Sequence, residues 1–407
     1  MSLQIDKKKK IDHFVQNDQL ARLLKEHSQL TKDDRRNWTV LFSVEGIGPQ
    51  TFYLIVNYLN KYQISWEDFW VGKQGIWTKL SLNKNIIESI KKFIKEHTIN
   101  SYWNSIIERK ISVIFITDQN YPFLLKQIDD PPPLFFLKGK MIEDEKLPIA
   151  VIGSRKMTGY GCMVTEKIVN ELVINDVVIV SGFMYGVDVK AQKTAIKQGG
   201  YTIGVLGYGF DHVFPKSQTQ LMETMLESGN ITFISEYAPS VCPSKGTFPR
   251  RNRIIAGLSF GVVVTEAGLR SGTQITVSYA LNYGRDVFAV SGPVTSIYHE
   301  GVKSMLNQGA TLVGSGVEIL NNLSIKQWID IKQYKTVESK PHPQTTKANK
   351  LNQDILDALS IMPLTTSELS KQIEAKTSKI NKALALLEID GAIVYKEGCW
   401  WRIKNNF

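Results

Sequence analysis

From Pro148 onward six apolar runs follow one another: PIAVIG, VVIVS, TIGVLG, ITFIS, GVVVT and DVFAV. Segments of helical periodicity separate them. Strands buried on both faces read as unbroken Val/Ile runs, whereas half-exposed strands alternate apolar with polar residues. A strand, a helix and a second parallel strand form a right-handed crossover unit. A succession of such units predicts an α/β chain with an extended Rossmann-like, doubly wound, mostly parallel sheet.

Other textures flank this core. Residues 1–105 read as a helical domain that carries most of the tryptophan. Within it, LFSVEGIGPQTFYLIVNYL (Leu41 to Leu59) holds a G-I-G-P turn followed by an amphipathic helix, a helix-hairpin-helix or SAM-like signature. Such a turn can offer backbone N–H groups to a phosphate, or simply pack two helices together. Next come ISVIFI (Ile111 to Ile116), of strand length and composition, and LFFL, entered through Pro131, Pro132 and Pro133, which enforce extended backbone. The α/β domain is assigned to residues 106–322. Residues 323–349, including VESKPHPQTTKANK, have linker composition. Residues 350–407 read as short helices followed by the pair AIVYK and CWWRI, a winged-helix-like pattern. From Leu351 to the C-terminus cations and acids are equal in number, so a regulatory or protein-contact role there rivals duplex binding through Lys376, Lys379 and Lys382.

In open α/β sheets ligands bind beyond the carboxyl ends of the strands. Those positions carry GSRKMTGYG (Gly153 to Gly161), SGFMYGVD, GYGFDHVFP, SEYAPS, TEAGLRSGT and SGPV. Every one contains Gly or Ser. Loops of this kind that open helices leave backbone N–H groups free for phosphate. None fits G-x-x-x-x-G-K-[ST] or G-x-G-x-x-G, so the standard mononucleotide grips are excluded. Arg155 is the strong cation of the first loop, and its fork suits bidentate phosphate recognition.

Charge is focused in the same region. The chain carries a formal net charge of +10, yet the α/β portion is close to neutral. Val241 to Phe260 concentrates Lys245, Arg250, Arg251 and Arg253 with no acid among them. FPRRNRIIAGLS (Phe248 to Ser259) reads as a basic loop feeding an apolar helix. Such a cluster points to an extended polyanion.

Catalytic and metal signatures are missing from the sequence. The three cysteines, Cys162, Cys242 and Cys399, form no C-x-x-C pair, so neither a zinc knuckle nor a disulfide framework is supported. His212 and His299 stand without a nucleophile elbow or metal spacing. Asp188, Asp211, Glu236 and Glu266 fit helix capping or the orienting of arginines. The expectation is a non-enzymatic protein without a cofactor. The N-terminus lacks an apolar signal region, and its Lys7 to Lys10 run reads as a solvated arm. A cytoplasmic protein with no membrane partner is expected.

Taken in order, VIGSR, SGFMYGVD, LGYGFDHVFP, SEY, FPRRNRIIAGLS, VVVTEAGLRSGTQIT and GATLV resemble the DNA-processing protein A family (DprA, also called Smf). The resemblance spans roughly residues 110–315. It implies a dimeric, non-catalytic binder of single-stranded DNA that protects incoming strands and helps load the RecA recombinase in natural transformation. Carried over by position, it implies Ser154 and Arg155 as phosphate contacts, and Lys245 and Phe248 as a charge and a stacking face. Asn252 and Arg253 would line the same pocket, closed by Ser271, Gly272 and Thr273. Gly153, Lys156 and Arg251 complete the candidate DNA-binding set. Of the three arginines, Arg250 reads as exposed, Arg251 faces either the strand or a partner subunit, and Arg253 faces the pocket. Met184, Gln192 and Ser291 depart from the family's usual small residue, histidine and proline.

Two other readings belong to different classes. One is a phosphoribohydrolase-like nucleotide enzyme, whose P-G-G-x-G-T-x-x-E loop is replaced here by TEAGLRSGT. The other is a nucleotide sensor with a winged-helix output.

Overall fold

The computed structural model describes residues 30–140, 146–269, 271–293, 295–324, 347–389, 392–396 and 399–402. The Lys7 to Lys10 arm, nearly all of the assigned linker and Arg270 lie outside them. Contacts divide the chain into two compact units, Met1–Val337 and Glu338–Phe407.

The first unit is built on a nine-stranded sheet. Its strands are β1 (Ser112–Phe115), β2 (Leu134–Gly139), β3 (Leu147–Ile152), β4 (Val177–Ser181), β5 (Thr202–Leu206), β6 (Ile231–Ser235), β7 (Gly261–Val264), β8 (Asp286–Ala289) and β9 (Thr311–Leu312). They lie in the order β1-β2-β6-β5-β4-β3-β7-β8-β9. All pairings from β6 through to β9 are parallel, and β1 and β2 join antiparallel at the β6 edge. The six apolar runs are therefore the parallel core strands β3 to β8.

Strand β3 shows why these runs are apolar throughout. Leu147, Ile149 and Val151 enter one core cluster, while Ala150 and Ile152 enter another. Alternate side chains point to opposite faces, and both faces are covered. The helices that matter for the site are α1 (Lys32–Ser43), α2 (Pro49–Lys61), α3 (Gly159–Val173), α4 (Val187–Lys197), α5 (Thr219–Glu227), α6 (Thr247–Gly257) and α7 (Thr273–Asn282). Helices α3 and α4 pack into one cluster, through Ile168, Leu172, Ala191 and Ala195. Helices α6 and α7 pack on the other face, through Ile254, Ile255, Val277 and Ala280.

The N-terminal helices join this second face. Trp38 of α1 lies 6.3 Å from Phe115, ring centre to ring centre, and Arg35 holds Asp118 with two hydrogen bonds of 2.7 and 2.9 Å. The triple proline is fixed carbonyl by carbonyl. The Tyr53 hydroxyl donates to Pro131 O at 3.0 Å, the Tyr121 hydroxyl to Pro132 O at 2.8 Å, and the Ile116 amide to Pro133 O at 2.9 Å. Three consecutive carbonyls thus escape burial without a partner, a loss that would cost about 1–3 kcal/mol each.

In the second unit, helices Lys347–Ile361, Thr366–Gln372 and Thr377–Ile389 precede an antiparallel pair, β10 (Ile393–Lys396) and β11 (Cys399–Arg402). Ile355, Leu359, Leu369, Ile380 and Leu384 form its core. Among the described residues, no helix is long and apolar enough to cross a membrane.

Candidate nucleic-acid interface

The chain winds outward from β3 through β4, β5 and β6, then returns to place β7 on the other side of β3. Loops leaving β3 and β7 must diverge there, and a crevice opens between them. A cleft of about 810 Å³ occupies that position.

Its floor is the turn after β3. The Ser154 amide donates to Glu266 O at 2.8 Å, tying the β3 turn to the β7 turn. The Ser154 hydroxyl accepts from the Lys156 amide at 3.0 Å, and the Ser154 carbonyl accepts from the Val187 amide at 3.2 Å. Gly186, at φ +82°, approaches so closely that a Cβ there would stand 2.2 Å from Ser154 O. Only glycine meets both demands.

Arg155 and Lys156 project from this turn and are exposed. Among the described residues no carboxylate lies within ion-pairing distance of Arg155. Its guanidinium instead lies 5.7 Å from the centre of the Phe248 ring, a cation–π arrangement. Arg155 is thus free to meet an anion.

The start of α3 behaves differently from the phosphate-ready helix expected. The buried Glu266 carboxylate accepts from the Thr158 amide at 2.8 Å and from the Thr158 hydroxyl, while Thr158 caps the helix through Gly161 N at 3.1 Å. The chain's own carboxylate fills the position an anion would take. The first loop therefore offers its cations rather than its helix end.

One wall comes from α6. The helix begins at Thr247, so the basic stretch expected as a loop is helical from Phe248 onward. Pro249 is tolerated because the first turn of a helix has no use for its N–H. Ser244, Lys245, Phe248, Pro249, Arg251 and Asn252 face the cleft. The opposite wall is the loop Ser271–Gly272–Thr273 at the start of α7, where the Ser271 hydroxyl accepts from the Thr273 amide at 3.2 Å and Gly272 itself offers no capping side chain. The Asn252 amide reaches Gly272 O at 3.4 Å and bridges the two walls.

Eleven of the twelve candidate residues therefore line one cleft: Gly153, Ser154, Arg155, Lys156, Lys245, Phe248, Arg251, Asn252, Ser271, Gly272 and Thr273. Arg253 does not, which corrects the expectation that it lines the pocket. Its side chain is 1% exposed, ion-paired with the buried Glu236, and donates to Asp130 O at 2.7 Å. Residues two apart on a helix point about 200° apart, so Arg251 and Arg253 cannot share a wall.

Arg251 itself faces the strand ends. Its Nη1 donates to Gly182 O at 2.7 Å and to Val205 O. Burial lowers its pKa, opposed by the nearby Asp188 charge. Burial likewise pushes the Asp188 carboxyl up to about 6, against the pull of Arg251. Arg250 is exposed and its guanidinium stands against the G-I-G-P turn, 2.7 Å from where a Cβ of Gly48 would lie.

The remaining carboxylate candidate, Asp211, pairs with Arg109 at 2.6 Å. Asp211, Glu236 and Glu266 each hold an arginine or a helix start. Among the described residues no three His, Cys, Asp or Glu side chains gather as a metal site. The sequence reading missed Phe214, Met184, Asp188 and Tyr298 as cleft-lining residues. Phe214 and Met184 lie in loops after strands already singled out, and Asp188 in the first turn of α4, so the signal was present without a means of choosing among these positions.

A protein-family model described as DNA recombination-mediator protein A matches residues 112–324, about half of the chain and all nine strands of the sheet. The DNA processing protein DprA of Bacillus subtilis is 39% identical over 217 residues, covering 53% of this chain and 72% of the relative. That of Streptococcus pneumoniae is 40% identical over 212 residues, covering 52% and 74%. The X-ray structure of the Streptococcus pneumoniae protein superposes with a TM-score of 0.61 at 31% identity, covering 73% of this chain and 99% of that one.

Proposed function

Because the chain belongs to the DNA recombination-mediator protein A family, we propose that it is a non-enzymatic, sequence-tolerant binder of single-stranded DNA. In this reading it acts as a homodimer that protects incoming strands and helps load the RecA recombinase in natural transformation. Family membership supports the recombinase and the dimer. The cleft supports the strand.

One observation carries the reading. Arg155 stands exposed at the cleft with no carboxylate partner among the described residues, its guanidinium over Phe248. An arginine with an open fork beside an aromatic ring is equipped to neutralise a phosphate and to border a stacked base. Lys156 and Lys245 add charge at the same cleft. Serial neutralisation of phosphates releases counterions, so binding should weaken steeply with salt. Glu236, Glu266 and Asp211 are committed to structural partners, and the fourth carboxylate candidate, Asp188, accepts from the Gly182 amide and lies beside Arg251.

The deciding experiment is a salt series of binding to oligo-dT, duplex DNA and mononucleotides. Tight oligo-dT binding with a steep salt slope is the expected result. No affinity for oligo-dT at low salt would overturn the reading. Preference for a free mononucleotide would favour the nucleotide sensor, since mononucleotides also settle at strand-order switch points. Base release from it would favour the phosphoribohydrolase-like enzyme.

A further inference from the structure

Phe248 is not the only ring at the cleft, and its own surroundings are crowded. Its ring presses on the backbone at Gly207, where a Cβ would stand 2.8 Å from Cδ1. Tyr208 meets it edge-on at 6.2 Å, and Arg155 lies 5.7 Å from its centre. Phe214, in the loop after β5, stands beside it at 5.4 Å with the ring planes 47° apart. Phe214 also lines the cleft and is 39% exposed, a large apolar surface left open to water. Its backbone is held by a hydrogen bond from the Tyr208 hydroxyl to Phe214 O at 3.3 Å.

An exposed ring fixed beside a cationic track is the equipment that stacks bases without reading them. We propose that Phe214 is a base-stacking residue of the cleft and extends the platform begun by Phe248. The 47° between the rings means that two successive bases lying on them cannot stay parallel. The platform therefore splays neighbouring bases apart, which a single strand permits and a base-paired duplex resists. This rests on the reading of the cleft as a single-strand site.

The test uses the full chain, with oligo-dT and a sugar-phosphate oligomer of equal length in which every position is abasic. Phe214→Ala removes the ring, and Phe214→Leu keeps apolar bulk while removing the flat face. Both variants should bind oligo-dT about tenfold or more weakly than the parent protein. Both should bind the abasic oligomer as the parent does. Oligo-dT binding equal to the parent's in either variant would overturn the proposal, as would equal losses on both oligomers, which would indicate a structural role. Arg155→Ala keeps the two levels apart, since it should weaken binding to both oligomers. If the parent protein itself fails to bind oligo-dT, the single-strand reading falls and Phe214 stacking falls with it.

Discussion

Arg253 and Glu236 form an ion pair with both side chains almost wholly buried, 1% and 3% exposed. Removing one partner strands a charge in the core, which costs about 3–5 kcal/mol. Arg253→Ala should therefore lower the denaturant midpoint sharply. The folded fraction should keep its single-strand affinity within about twofold, since uncoupled distant sites behave additively. A loss of affinity as large as that of Arg155→Ala would place Arg253 in the binding track after all.

Asp188 gives a pH signature. Burial raises its carboxyl from 3.8 to about 6, with Arg251 and hydrogen bonds from Ser181, Met184 and Gly182 opposing. The folded state thus holds this proton more tightly than the unfolded state does. The stabilising contribution is complete below the unfolded value of 3.8 and fades as pH rises to about 6. Across that window wild-type stability should fall by about 3 kcal/mol relative to Asp188→Asn, at about 1.4 kcal/mol per pH interval. Paired unfolding curves at pH 4 and pH 7 check it; a constant difference between the two proteins would contradict the buried, proton-holding carboxyl.

Arg155→Ala should weaken binding to all single-strand sequences alike. The slope of log affinity against log salt should become shallower by about one, the loss of one phosphate contact. Fluorescence anisotropy with homopolymers and mixed sequences measures both. A loss confined to one sequence would argue for base reading instead.

Gly186→Ala places a methyl group 2.2 Å from Ser154 O at a φ of +82°. Strain of this kind costs about 1–3 kcal/mol, and the carbonyl must yield, moving the turn that carries Arg155. Both melting temperature and single-strand affinity should drop. Gly199→Ala is the matched control: its φ is +73°, but nothing lies within 4 Å of the added group. It should cost stability and leave affinity unchanged.

Much of this was legible in the sequence, and the reasons differ by residue. The core strands were readable because burial on both faces forces every position of β3, and all but Ser181 of β4, to be apolar. The cleft was readable because glycine and serine loops collect where such strands end. Arg253 was misread because a lone sequence shows its charge but not Glu236, seventeen positions earlier, folding over to neutralise it. The helical start at Thr247 was hidden by Pro249, which marks a boundary as readily as a first turn. Phe214 escaped because an apolar residue in a loop carries no sign of whether it will face water or core.

The turn after β3 and the turn after β7 meet through the Ser154 amide and the Glu266 carbonyl, at 2.8 Å, across more than a hundred residues of chain. Contacts of such long sequence separation form late, because the intervening loop must close before they can reward it. During synthesis a nascent chain that has not yet emerged past β7 holds Arg155 but has no cleft to hold it in. The cleft is complete only once β7 and the Ser271–Gly272–Thr273 wall that follows it are in place, so on the proposed function a copy truncated before them would not compete with finished ones for a strand.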